Sequence, residues 1–598
     1  MEEKKVEKKV EEKYIWNTKD IYQNIEQFNE AVDYIKNKTN ELESLKGTLN
    51  TAENIYRSFE LEEDIDKVVT KVYAYAMLKH HENTADEENS KLYKFVVNVC
   101  NECAVKIAYI TPEMLKMDLE DLKTLTSKDS RLLRYKINIE DLIEHKPHVL
   151  SEEVETAVST LSHSFSNCDA IFETLTDTDF VFKDVADKDG KLHELTHGTY
   201  ILCLESKDAV LRENAFNAMY DVFKQYIHTL TETYTRHVKL VTTLAKLRKY
   251  TSSLESAVKV EDSTVEVYNN LIETVGKNLD FNYRYIALKK KVLKLDSFHI
   301  YDLFLDITEA VADNIPYDEA KNIVKDALKI LGEEYVSKLE EAMENRWIHV
   351  YEQKAKRSGA YSMGVYGVHP YVLLNYAGNN ESVSTLAHEL GHAMHSYYSS
   401  KAQTYVDSDY TIMVAEVAST VNETLLANYL INKETDKVKK ASLINSHING
   451  IRSTLIRQTM FAEFEKMVHE AVEAGHELAS EDLCGLYYEL NKKYFGDTDI
   501  IVDENIKYEW ARIPHFYSAF YVYKYATGIS AAIAIAKRIL AKEDGYAAKY
   551  IEMLKMGGSV KSLDQLKSVG VDLTTEVPVQ EAFAYLNEKL DELEELLK

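Results

Sequence analysis

Breakers of regular structure are scarce in this chain of 598 residues: six prolines and 19 glycines, about 1 % and 3 % against the roughly 5 % and 7 % of ordinary proteins. Their scarcity leaves long helices as the default conformation. Cysteine is scarce too. Cys100, Cys103, Cys168, Cys203 and Cys484 are an odd number in a long chain, which argues against a disulfide framework. Cys100 and Cys103 sit in an apolar helical run with no second pair and read as small buried hydrophobes. Positive charge is in deficit, 71 Lys and Arg against 99 Asp and Glu, for a net charge of −28. That balance repels phosphate backbones and anionic lipid, so neither nucleic acid nor a membrane is expected as a partner. No apolar run approaches the roughly 20 residues of a membrane span; the longest, residues 529–536, is closed by Lys537 and Arg538. The first 13 residues alternate Lys and Glu around Val6 and Val10 and contain no apolar signal core, so a cytoplasmic setting is expected.

What is present is ordinary globular material, 45 % apolar and 28 % charged, in amounts that call for more than one core. Successive amphipathic patterns fill residues 14–350, for example 21–36 and 208–248. The expected organisation is a charged tail at 1–13, an N-terminal helical domain at 14–190 and a catalytic domain at 191–598. The boundary is soft, in a charged stretch around 182–199 that also predicts a weak hairpin. At the C-terminus Leu586, Leu590, Leu593 and Leu597 mark one face of a docked terminal helix.

The texture changes at residues 357–380, where four glycines and Pro370 surround the apolar run 371–376. In a glycine-poor chain this local enrichment predicts loop, strand and turn, with a hairpin or a close backbone approach to a ligand as its cause. Gly359, Tyr361, Gly364 and Tyr371 are the candidate substrate contacts, with the edge of 371–376 offered to an extended peptide. Directly after it come His388, Glu389 and His392 in the pattern H-E-x-x-H. Positions four apart lie about 40° from each other on a helix, so both imidazoles can reach one metal ion, and Glu389 can address a water beside it. Chance supplies roughly 0.06 such patterns in a chain of this composition. Imidazole and carboxylate ligands suit one zinc ion per chain, while manganese or cobalt is also compatible with them.

A catalytic zinc needs a third protein ligand and an open position. The next strong helix, over residues 409–431, contains Glu416, 24 residues beyond His392, a spacing that permits a helix, a turn and a return. The metzincin pattern is absent, since His395 stands where it needs glycine and Tyr398 where it needs histidine. His395 shares the ligand face but lies about 4.5 Å along the axis beyond His392, which assigns it a supporting or substrate contact. Glu423, seven residues after Glu416, is a candidate for orienting a histidine, with an ordinary helix carboxylate as the alternative. Further on, RIPHFYSAFYVYKYATG offers His515, Tyr517 and Tyr521 as neutral donors to an oxyanion. The two tyrosines, four apart, are expected on one helix face, with Tyr523 and Tyr525 as competitors.

The segments GAYSMGVYGVHPYVLLNYAGNNESVSTLAHELGHAMH, VAEVASTVNETLL and RIPHFYSAFYVYKYATG, with the opening YIWNTKDIYQNIEQFNEAV, resemble the oligoendopeptidase F group of the thimet oligopeptidase family of zinc metallopeptidases. The thimet-like members carry a different His-Gly-Gly-Tyr arrangement ahead of their tyrosines. The resemblance runs from about residue 14 to the C-terminus. It implies a mostly α, elongated molecule with a deep substrate channel and a small β element beside the zinc helix, Glu416 as third zinc ligand, and oligopeptides as substrates. The expected activity is zinc-dependent endopeptidase action with Glu389 as general base. A carboxydipeptidase or aminopeptidase on the same helix is the alternative enzyme. A silent peptide-binding protein with a structural metal is disfavoured by Glu389, because a closed site has no use for a base.

Overall fold

The structure, a computed structural model, describes residues 10–151, 153–155, 157, 158, 161, 167–308, 314–496 and 499–598. The expected charged tail lies outside the described residues up to residue 9. Its end is fastened, since Glu12 pairs with Arg346 at 2.7 Å and the Tyr14 carbonyl accepts from the Val350 amide at 3.0 Å. Helices dominate and the sheets are small, as the shortage of breakers predicts. No helix among the described residues is long and apolar enough to cross a membrane.

The chain forms two compact units, each assembled from three separate segments. One comprises Met1–Pro147, Ala312–Leu426 and Ile535–Gly570, the other His148–Val311, Ala427–Ala534 and Val571–Lys598. The division expected near residue 190 was contiguous, whereas the chain leaves each unit and re-enters it without a linker of distinctive composition.

The first unit opens with three helices, α1 (Ile25–Glu43), α2 (Ala52–Glu82) and α3 (Glu87–Ile107). Each starts where a polar side chain accepts from the first free amides: Asn24 from Gln27, Thr51 from Asn54, and Asp86 from Glu88 and Asn89. Their apolar stripes meet in one core, with Phe28, Ile35, Ile65, Val72 and Val96 nearly or fully excluded from water. Each such side chain contributes about 1.5–3 kcal/mol by burial. A three-stranded sheet follows, β1 (Ile348–His349), β2 (Tyr361–Met363) and β3 (Tyr371–Leu373), in the order β1-β3-β2. β3 runs parallel to β1 and antiparallel to β2, with Ser362 opposite Val372.

This order corrects one expectation. The strand at 371–376 is the middle one and all of β3 is buried, so it has no edge to offer. A run that is apolar on both faces belongs in the centre of a sheet, and the edge falls to β2. Behind the sheet stands α4 (Asn380–Ala402), begun by Asn379, whose side chain accepts from the Ser382 amide at 2.9 Å. α5 (Ile412–Lys433) follows.

In the second unit, helices Ala209–Gln225, Ile227–Leu247, Gln458–Glu473 and Ser480–Phe495 enclose an aromatic core that includes Tyr234, Phe464, Trp510 and Phe516. Buried Glu509 is held there by Arg457 at 2.7 Å and the Tyr487 hydroxyl at 2.6 Å. The weak hairpin is present as Val185–Ala186 paired with Leu192–His193. The terminal helix Val577–Leu596 docks through fully buried Leu586, Leu590 and Leu593.

Candidate functional site

The H-E-x-x-H segment forms the middle of α4, and the ligand atoms of His388, His392 and Glu416 all lie within 4.8 Å of one another. His388 Nε2 and His392 Nε2 are 3.1 Å apart, both aimed at one point. His388 Nδ1 donates to Glu423 Oε1 at 3.0 Å. A carboxylate on Nδ1 fixes the tautomer and leaves the Nε2 lone pair for a metal.

Electrostatics at this point favour a cation. Burial alone pulls His388 down, but the Glu423 hydrogen bond and charge, with Glu389 and Glu416, outweigh it and lift the imidazole to about 9. Burial and the neighbouring His388 pull His392 down to about 3. Burial raises Glu416, with the His388 charge opposing. Two imidazoles and a carboxylate on two helices, with a preference for one positive charge among them, fit a divalent metal of the zinc type.

Glu389 is 6 % exposed, and its Oε2 has no hydrogen-bond partner. Burial pushes it up to about 7, with His388 opposing and Glu416 and Glu423 adding. A carboxylate balanced near neutrality can take a proton from water and release it again.

Two devices hold the ligand helices together. A Cβ added at Gly391 would lie 2.6 Å from Ser419 Cα and 2.8 Å from the Ala418 oxygen, so only glycine lets α5 cross α4 this closely. Asn422 Nδ2 secures the crossing on the Ala387 carbonyl at 3.1 Å. The loop between the helices is clasped from far along the chain. Gln403 donates to the Lys555 carbonyl at 2.6 Å, the Gly558 amide to the Asp407 carbonyl at 2.7 Å, and the Thr411 and Ser562 hydroxyls bond at 2.6 Å. Gly391 went unassigned at the sequence level, although a glycine inside a helix of a glycine-poor chain was its signal.

The site opens into a cavity of about 1020 Å³ within the first unit, lined among others by Tyr361, Gly364, His388, Glu389, His392 and Glu416. Tyr361 lies on β2 and its hydroxyl meets His81 Nδ1 at 2.8 Å. Gly364 brings the chain against α4, where an added Cβ would lie 2.9 Å from Ser396 Cβ.

Other expected contacts are placed elsewhere. Tyr371 is fully buried and its hydroxyl donates to the Asn17 carbonyl at 3.1 Å, so it belongs to the core. Gly359 sits in an exposed turn at φ +81°, its carbonyl accepting from Asn375 at 2.8 Å. His395 is fully buried, stacked on Tyr410 at 3.6 Å, and neither ring nitrogen has a partner. Tyr517 and Tyr521 do not share a helix, because a short 3-10 turn spans Pro514–Tyr517 and the helix begins only at Tyr523. Tyr517 packs on Phe172 at 4.7 Å, while His515 lies 6.2 Å from Tyr521 and 6.1 Å from Tyr525 by ring centroid. These residues belong to the second unit.

The model of peptidase family M3 matches residues 202–585 and that of oligopeptidase F residues 113–182. Oligopeptidase PepF of Bacillus subtilis is 40 % identical over 583 residues, covering 97 % of this chain and 87 % of its own length. Group B oligopeptidase PepB of Streptococcus agalactiae is 35 % identical, with 98 % of each chain covered. The crystal structure of oligoendopeptidase-F from Enterococcus faecium is similar at a TM-score of 0.74 and 31 % identity, covering 96 % of this chain and 99 % of that one.

Proposed function

Since the chain belongs to peptidase family M3, a family of metallopeptidases, and its relatives are oligopeptidases, we propose that it cleaves internal bonds of short oligopeptides at a zinc ion held by His388, His392 and Glu416. The observation that carries this reading is the convergence of those three ligand atoms within 4.8 Å beside the unpartnered Glu389 carboxylate, at the wall of one cavity. Bound zinc would supply a Lewis acid that polarises the scissile carbonyl and acidifies water.

The chain's own residues do the rest. Glu389 accepts the proton of the attacking water at its carboxylate and returns it to the leaving amine. Glu423 holds the His388 ring through Nδ1. The free edge of β2 pairs with an extended peptide by backbone hydrogen bonds, which tolerates many side chains. Five free thiols support a cytoplasmic setting.

The test is digestion of free and end-blocked peptides with and without chelator, read by mass spectrometry. Internal cleavage of end-blocked peptides, lost on chelation and regained with zinc, is the expected result. A requirement for a free terminus would replace endopeptidase by exopeptidase action, and chelator-resistant hydrolysis would refute the metal mechanism.

A further inference from the structure

The ladder of the three-stranded sheet shows which backbone groups of β2 are free. The Val372 amide donates to the Trp347 carbonyl and the Leu374 amide to the His349 carbonyl, both at 2.9 Å, so these residues of β3 face β1. Tyr371 and Leu373 therefore turn their backbone groups to β2, where they meet Met363 and Tyr361. Ser362, opposite Val372, points its N–H and C=O away from the sheet, and Ala360, Ser362 and Gly364 line the cavity. Side chains alternate across the same strand. Tyr361 and Met363 pack on the core of Trp16, Leu78 and Tyr371, with the Tyr361 hydroxyl on His81 Nδ1 at 2.8 Å. Gly364 faces α4 instead, where an added Cβ would lie 2.9 Å from Ser396 Cβ and 3.0 Å from its Oγ. Gly364 does not have a left-handed φ, so the contact and not the backbone asks for glycine there.

Ser396 follows His388 and His392 on α4 at i+8 and i+4, so the three share one ridge of the helix. Its side chain is pinned: Oγ bonds the Tyr410 hydroxyl at 2.7 Å, and the Tyr410 ring is stacked on His395 at 3.6 Å. β2 is thus held between a packed core on one face and the ridge of the two histidines on the other. Resting on the peptidase reading and the pairing of β2 given above, we infer that Gly364 and Ser396 are positioning residues. Their contact sets the height at which a peptide paired with Ser362 lies over the ridge of His388 and His392. The smallest residue at 364 lets the strand come in, and the pinned serine stops it. A methyl group at 364 forces a retreat of about 1 Å to restore ordinary contact. A misplacement of that size at a reacting bond costs about 100-fold in rate. Neither residue has to touch the scissile bond, since the effect acts through spacing.

The experiment compares full-length wild type, G364A, S396V and G364A/S396G. One quenched fluorescent oligopeptide is hydrolysed by the zinc-loaded proteins and bound by the metal-free ones. G364A should lower kcat about 100-fold, while KM, peptide binding without metal and metal affinity by chelator competition stay close to the wild type. S396V thickens the same contact from the helix side and should lower kcat alike, so the spacing is judged even where G364A folds poorly. G364A/S396G removes the opposing Cβ and should regain at least about tenfold of the lost kcat. A role in stability alone would lower Tm and metal retention together and would not separate kcat from KM. Wild-type kcat in a folded G364A or S396V, a loss confined to KM, or a double variant as slow as G364A would overturn the spacing. Methylating the peptide's backbone nitrogens one at a time should weaken binding at the position paired with Ser362. If none does, the pairing of β2 is wrong and the spacing falls with it. Absence of any cleavage by the wild type would instead refute the peptidase reading.

Discussion

Exchanging Gly391 for alanine strains the metal site through its scaffold without touching a ligand. In an exposed helix interior the exchange gains up to about 1 kcal/mol. Gly485 provides the reference, since it lies in a helix and an added Cβ meets nothing within 4 Å. G485A should stabilise by about that amount. At 391 the same methyl would lie 2.6 Å from Ser419 Cα, about 1 Å inside ordinary contact distance. The obstructing atoms are backbone, so α5 has to retreat. Such overpacking costs about 1–3 kcal/mol, which leaves the variant about 0–2 kcal/mol less stable after the helix gain is subtracted. The larger effect falls on Glu416, one turn before Ser419. Coordination tolerates displacements of about 0.2 Å, so a retreat near 1 Å should cost about 10–100-fold in metal affinity, comparable to losing a group that orients a ligand. Chelator competition on G391A and G485A, with thermal unfolding of both, measures the two terms separately. Wild-type metal affinity in G391A, or equal stabilisation by both exchanges, would refute the tight crossing.

Glu389→Gln should keep metal and fold while kcat falls by several orders of magnitude, because an amide cannot accept the water's proton; near-normal turnover would end the proposed mechanism. Glu416→Ala should release metal to stoichiometric chelator, whereas Glu423→Gln should retain it with affinity lowered about 10–100-fold, as metal analysis after dialysis will show. Glu465 is fully buried, accepts from the Phe520 amide at 2.7 Å through Oε1, and has no partner for Oε2; burial pushes it up to about 8 from 4.5, with the amide bond opposing. Its folded pKa is raised, so the protonated group costs nothing below pH 4.5, and stability is lost progressively as pH rises from there to about 8. Glu465→Gln should therefore be more stable than the wild type by a margin that grows from near zero at pH 5 to a few kcal/mol at pH 8; a pH-independent difference in Tm would refute this.

Legibility followed the range of the interaction. His388, Glu389 and His392 were readable because one helix turn fixes their relation. The helical class was equally local, written in the shortage of glycine and proline. Glu416 depended on a turn and return that spacing only permits, and its assignment came through resemblance. At 371–376 the apolar run was read as a strand correctly but as an edge wrongly, since alternation is missing in any strand covered on both faces and says nothing about which neighbour lies beside it. The helix expected through Tyr517 and Tyr521 ended at the turn after Pro514, a local feature whose extent the tyrosine spacing did not report. Nor could composition mark the two units, each closed by contacts between segments hundreds of residues apart.

That interleaving sets a clock on synthesis. The loop joining the helices that carry His388, His392 and Glu416 is pinned by Lys555, Gly558 and Ser562, and the Thr411–Ser562 bond closes over 151 residues. At a ribosomal rate of about 5–20 residues per second, the helices are complete roughly 6–24 seconds before the segment that clasps them emerges. A nascent chain thus carries His388, His392 and Glu416 well before the frame that keeps them in register. Completion of the first unit is deferred to the last stretch of translation, and an incomplete product that stops short of residue 555 leaves the ribosome with His388, His392 and Glu416 but without their brace.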